Sequence, residues 1–212
     1  MTEGSVLLAG NGAELVRERA MAMRVQAALE RMYRLDRVAD VADFVRSIEF
    51  GEREALLVRE AGDGGMEVSV CLPTLAPVAH AELDTLCQII EGVSHFVYLV
   101  ERTRVGREST QLELELQAEV DKWVVLAASM QSFDATRSRG LRARLYERVS
   151  FTHGPQTELG ERYRLANEAA NRFVRHLERD YLLAARFDEM HAELRRFFDV
   201  GQEEKLRFSR AI

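Results

Sequence analysis

The stretch Leu83-Asp-Thr-Leu86-Cys-Gln-Ile-Ile90-Glu-Gly-Val93-Ser-His-Phe-Val97-Tyr-Leu-Val100 decides the fold. Its residues Leu83, Leu86, Ile90, Val93, Val97 and Val100 follow one another at alternating steps of three and four. That spacing lays one narrow apolar seam along a helix from about Ala79 to Arg104. Gly106 stops it. Thr110-Gln-Leu-Glu113 then has the form of a capping box, in which the threonine caps a new helix and the glutamate reaches back to it. This start signal outweighs the alternation of Leu112, Leu114 and Leu116, which alone would read as a strand. The helical pattern continues through Val120, Trp123 and Ala127 to about Met130. Two helices with so short a link make 79–130 an antiparallel helical hairpin.

Working toward the N-terminus, Glu54–Glu60 and Met66–Leu72 are apolar-rich runs on either side of Ala61-Gly-Asp-Gly-Gly65. Glycines there supply the positive backbone angles of a hairpin turn, so 54–72 reads as one small β-hairpin. Two strands are marginal alone, so the hairpin must pack on a helix or pair with another strand. Val38, Val41, Val45 and Ile48 predict a short helix from Arg37 to Ile48, and Leu15, Ala22, Val25, Leu29 and Met32 a longer one from Ala13 to Tyr33. Residues 1–12 read as a flexible arm. Their Gly10-Asn-Gly12 could open a nucleotide-binding turn, but the third glycine of that fingerprint is replaced by Leu15 and no βαβ pattern follows.

Toward the C-terminus, a short arginine-rich helix carries Leu141, Leu145 and Val149, and C-terminal helices occupy about 158–208. Between Glu161 and Val200 there is neither glycine nor proline. A straight helix of about 40 residues would be about 60 Å long, while a compact chain of this length is roughly 43 Å across. The apolar stripe also turns polar at Asp180, which places a kink near 180–184. The expected architecture is therefore mainly α: a bundle of six to eight helices forming one domain over 13–212, with one β-hairpin.

Composition narrows function by exclusion. With 47 % hydrophobic and 30 % charged residues the chain has globular composition, and its net charge of −6 gives no general attraction to nucleic acid or anionic lipid. No apolar run is long enough to span a bilayer, and Met-Thr-Glu-Gly at the start has no basic region ahead of an apolar stretch. The expectation is a cytoplasmic protein with Cys71 and Cys87 reduced. Lysine stands only at Lys122 and Lys205, so the other 27 of the 29 cationic side chains are arginines, a bias that suggests a GC-rich bacterial genome.

Four constellations carry possible chemistry. Glu91 and His95 lie one turn apart on the first hairpin helix, and Glu115 and Glu119 one turn apart on the second. Bundles build metal sites from such residues on facing helices, but the Glu-x-x-His signature is absent. With Ile90 and Val93 on the seam, Glu91 and His95 should point to solvent. Arg137, Arg139, Arg142, Arg144 and Arg148, opposed only by Glu147, could grip an anion or an acidic partner, or simply pair with the glutamates of 113–121. Asp180 and His191 share the apolar stripe and could meet as a buried pair across the expected break. No nucleophilic elbow appears, and Cys87 among Leu86, Ile89 and Ile90 should be a poor nucleophile. The several seams, with Ala166, Ala169 and Ala170 beside Tyr163 and Phe173, favour a self-associating interaction or assembly module, expected as a homodimer. A metal- or small-molecule-binding helical-bundle enzyme is the alternative, and a nucleic-acid-binding regulator using Arg137–Arg148 a further one. The residues name no cofactor.

Overall fold

The computed structural model describes residues 15–37, 39–47, 55–60, 66–73 and 83–210. Among them seven α-helices and a three-stranded sheet follow in the order α1 (Val16–Tyr33), β1 (Val45–Ser47), β2 (Ala55–Glu60), β3 (Met66–Leu72), α2 (Leu83–Arg104), α3 (Gln111–Ala128), α4 (Ala135–Arg142), α5 (Glu158–Leu177), α6 (Phe187–Asp199) and α7 (Gln202–Phe208). The protein is thus a mainly helical bundle with a small β element. The expected N-terminal arm and hairpin turn lie outside the described residues. No described helix is long and apolar enough to cross a membrane.

The helical hairpin forms as its sequence signals require. Thr110 Oγ1 accepts the Glu113 N–H at 3.1 Å and starts α3. The other half of the capping box does not form. The Glu113 carboxylate instead accepts the Tyr98 hydroxyl at 2.5 Å and pairs with Arg102 at 3.0 Å, a stronger use for a charge with almost no exposed surface. The seam residues Ile90, Val93 and Val97 are buried within the chain. Helix α2 packs against α1, α3 and β3, and α3 packs against α5 on its far side.

The hairpin of β2 and β3 is antiparallel, with Ala55 opposite Cys71 and Glu60 opposite Met66. It gains a partner within the chain, for β1 pairs parallel to β3 with Val45 opposite Val70. This corrects the helix expected over 37–48. Asp40 caps a single 3₁₀ turn at Val41–Asp43, and the chain then enters β1. Val41 and Val45 are both fully buried, but from a turn and a strand, so helix-like spacing arose without a helix. β-branched residues favour the extended state once a strand edge is available.

The segment 161–200 breaks where its length demanded. Helix α5 ends at Leu177, a π-helical turn spans Glu178–Leu182, and Ala185 at φ 53° reverses the chain into α6. The reversal stacks Phe197 on Phe173 at 4.1 Å. Ala166, Ala169 and Ala170 are fully buried in the same chain, so the close helix contact they suggested is internal. Asp180 and His191 do not pair. Asp180 meets His176 one turn earlier at 2.8 Å, because the π turn leaves it on the α5 side, while His191 is half-buried on α6.

The last helix is anchored by a buried lysine. Lys205 on α7 has no exposed surface; its Nζ donates to Gln117 Oε1 at 2.5 Å and to the Phe197 carbonyl at 2.6 Å. It also lies 4.3 Å from the centre of the Phe197 ring. Gln117 in turn donates to Asp121 at 2.9 Å, Ser94 donates to Asp121 at 2.6 Å, and the Tyr33 hydroxyl donates to the same carboxylate. Five helices therefore share one buried polar network. Burial lowers the Lys205 pKa from 10.5 to about 7. Between those values the unfolded chain keeps a proton that the folded one has shed, so Lys205 makes stability rise with pH across that window. Denaturant titrations at pH 7.5 and 9.5 should show wild type gaining relative to Lys205→Met, by up to about 1.4 kcal/mol per pH unit for one proton. Parallel pH profiles would count against a depressed lysine.

Candidate functional site

On the opposite flank of the α2–α3 pair lies a second buried polar cluster, and it contains the residues singled out for metal chemistry. Glu91 and His95 sit one turn apart on α2, and Glu115 on α3 faces them. One ligand-type atom from each lies within 4.8 Å of the others. The expectation that Glu91 and His95 face solvent is overturned: Glu91 is 5 % exposed and Glu115 6 %. A helix covered by α1, α3 and the sheet has no solvated face to offer.

The cluster's electrostatics are set by Lys122. Its Nζ lies 2.7 Å from Glu91 Oε2 and 2.9 Å from Glu119 Oε1. Burial pushes the Lys122 pKa down, but Glu119 and Glu91 together push it higher still, so the ammonium is held as such. Glu119, the fourth sequence candidate, is thereby turned to the lysine rather than to His95. Glu115 has no comparable cation against it. Burial first, and the charge of Glu91 second, raise its pKa from 4.5 to about 8, with Lys122 and Arg162 opposing. His95 Nε2 approaches Glu115 Oε2 at 3.8 Å, too far for a hydrogen bond, and is a buried atom with no hydrogen-bond partner. Burial lowers the His95 pKa, so the ring is neutral, and it also hydrogen-bonds the backbone at Leu114. A neutral imidazole oriented by a backbone bond and facing a carboxylate is the condition of a metal ligand.

Beside this cluster a cavity of about 440 Å³ opens between α2, α3, α5 and the chain from Arg144 to His153. Glu91, Lys122 and Glu119 form its buried end, and Arg144 and Arg148 stand at its exposed end. Cys87 also borders it, with burial raising its thiol to about 11, so it is no nucleophile at neutral pH. Cys87 is in no disulfide. The exposed-end arginines are carried by a π-helical turn, Ala143–Glu147, closed by the Arg148 N–H on the Ala143 carbonyl at 3.1 Å.

The five arginines divide by role. None pairs with the glutamates of 113–121. Arg142 pairs with Glu178 at 2.9 Å and with Glu147 at 2.6 Å, a structural link from the end of α4 to the π turn after α5. Arg137 and Arg139 donate to the carbonyls of Ser132 and Ala135. Arg144 and Arg148 reach the cavity. The sequence reading missed Lys122 and the wall at 148–153; the rarity of lysine was the one available signal for the first.

Compared with the models of known protein families, with curated proteins and with solved structures, the chain matches none.

Removing the Lys122 ammonium leaves Glu91 and Glu119 buried without their shared cation. Lys122→Met is therefore expected to lower unfolding free energy by about 3–5 kcal/mol at neutral pH, measured by denaturant titration. A loss below about 1 kcal/mol, the scale of an exposed pair, would show that the cluster is solvated.

Proposed function

We propose that this chain is a metal-binding helical bundle, with Glu91, His95 and Glu115 as ligands to one divalent first-row ion. The observation that carries the reading is the buried, unpartnered His95 Nε2 facing Glu115, with Glu91 close to both. One imidazole and two carboxylates are a donor set suited to zinc, manganese, iron or cobalt. Three protein ligands leave coordination positions for water or substrate, the arrangement of catalytic rather than structural sites. Charge supports the same reading. Three carboxylates, Glu91, Glu115 and Glu119, stand against Lys122 and the more distant Arg162, and Glu115 is the one left to hold a proton. An ion would take that proton's place. When bound it would supply Lewis acidity at the inner end of the cavity, which Glu91 also borders.

The competing reading, self-association, drew on apolar seams that are filled here by the chain's own helices. Metal titration decides the matter. Chelator-treated protein should bind about one equivalent of Co²⁺, with visible absorption bands of a low-symmetry site, and Zn²⁺ should compete. His95→Ala should weaken binding by at least about tenfold, since losing even an outer-shell partner of a ligand costs that much. Glu119→Gln, whose carboxylate serves Lys122, should keep its stoichiometry. The reading fails if wild type takes up no Co²⁺, or if His95→Ala binds it as wild type does.

A further inference from the structure

Two guanidiniums at the cavity have no side-chain partner among the described residues. The side chains of Arg144 and Arg148 make no hydrogen bond or ion pair among the described residues, whereas those of Arg137, Arg139 and Arg142 each make at least one. Both unpaired guanidiniums border the same cavity, at its exposed end. The π turn brings this about, since its i→i+5 bonding sets both side chains on the cavity side of one widened turn.

The facing wall is built to keep its shape. Arg164 donates to the His153 carbonyl at 3.1 Å and covers the Phe151 ring at 4.6 Å. His153 stacks on Tyr163 at 5.9 Å, and the Thr157 hydroxyl donates to the Gly154 carbonyl at 2.8 Å. Gly160 lets that carbonyl sit directly against α5, since a side chain there would collide with it. The space is therefore present before anything enters it. Its volume of about 440 Å³ suits a small organic molecule rather than a bare inorganic anion.

Charge sets the orientation. The ammonium at the buried end is saturated by Glu91 and Glu119, so no free positive charge is offered there. The free positive charge is at the exposed end. Between the two ends, Leu83, Leu145, Val149 and Phe151 supply apolar surface. We infer that the cavity binds a small organic anion, its phosphate or carboxylate group held by Arg144 and Arg148 and its apolar or aromatic body lying against Leu83, Leu145 and Phe151. Paired guanidinium forks match the planar oxygens of either group. The inference extends the metal-centre reading but does not depend on it.

Calorimetric titration of chelator-treated protein separates the two. Phenyl phosphate and phenylacetate present one body with the two anionic groups, and benzyl alcohol presents it without charge. At least one anion should bind at a single site, with affinity falling as salt rises, and the stronger of the two names the group preferred. Benzyl alcohol should bind at least about tenfold more weakly. Arg144→Gln combined with Arg148→Gln should cost at least about tenfold in anion affinity. Arg137→Gln with Arg139→Gln should cost nothing. Because Arg144 and Arg148 are exposed and unpaired, their variant should melt as wild type does. The inference is overturned if neither anion binds, if benzyl alcohol binds equally well, or if the Arg144 and Arg148 variant keeps wild-type affinity. None of these outcomes bears on Co²⁺ uptake, so the two readings stand or fall apart.

Discussion

A buried lysine nitrogen must be surrounded by its own acceptors, and this bundle is arranged to provide them twice. Lys205 and Lys122 are the chain's only lysines, and both are buried. An unpaired buried charge costs more than a small domain can spare. Each lysine therefore fixes the helices that bring its acceptors. For Lys205 these are α3, through Gln117, and α6, through the Phe197 carbonyl. For Lys122 they are α2, through Glu91, and the preceding turn of its own helix, through Glu119.

The α2–α3 pair is thus a hydrophobic seam with a polar stripe on each side, and both stripes are covered. On one flank Ser94, Tyr98 and Arg102 of α2 meet Glu113, Gln117 and Asp121 of α3. Helices α1 and α7 close over them with Tyr33 and Lys205, and the carboxylates there receive donors from within the chain. On the other flank Glu91 and His95 meet Glu115, Glu119 and Lys122. There α5 and the π turn stand away and leave a cavity. The contrast is what favours the second flank as the proposed site. The first flank pairs its carboxylates with donors from within the chain, while the second gathers His95 Nε2, which has no hydrogen-bond partner, and Glu115 around Glu91, which borders a space that a ligand can enter.

How much of this was legible follows from which residues make local contacts. The hairpin of helices declared itself through the Leu83–Val100 spacing and the Thr110 cap, both of which act within a few residues of chain. The break near Asp180 followed from length together with the polar interruption of the apolar stripe there. The strand at Val45–Ser47 was hidden because its partner, Val70–Leu72, lies some 25 residues away in sequence and its valines also fit a helical period. The site was half legible. Glu91, His95, Glu115 and Glu119 stand out by type and spacing, yet the seam at Ile90 and Val93 points Glu91 and His95 to solvent. A single helix shows which side is apolar; it does not show whether other helices cover the polar side. Only tertiary packing buries residues at steps of four such as 113, 117 and 121.

The scarcity of lysine takes on a physical meaning in this setting. Composition alone could account for a preference for arginine, but not for where the two exceptions fall. A guanidinium is a planar fork of five donors and is never neutral, so burying one requires a broad set of acceptors in a fixed plane. An ammonium is compact and needs fewer. Between Glu91 and Glu119, or between Gln117 and the Phe197 carbonyl, there are two acceptors at 2.5–2.9 Å. Those sites fit a point charge and would leave most of an arginine's donors unpaired. Arg102 shows the converse, since burying it takes Glu113 together with the carbonyls of Glu108 and Asp199. The unusual residue in this chain therefore marks its two most demanding interior positions, and one of them stands at the wall of the cavity.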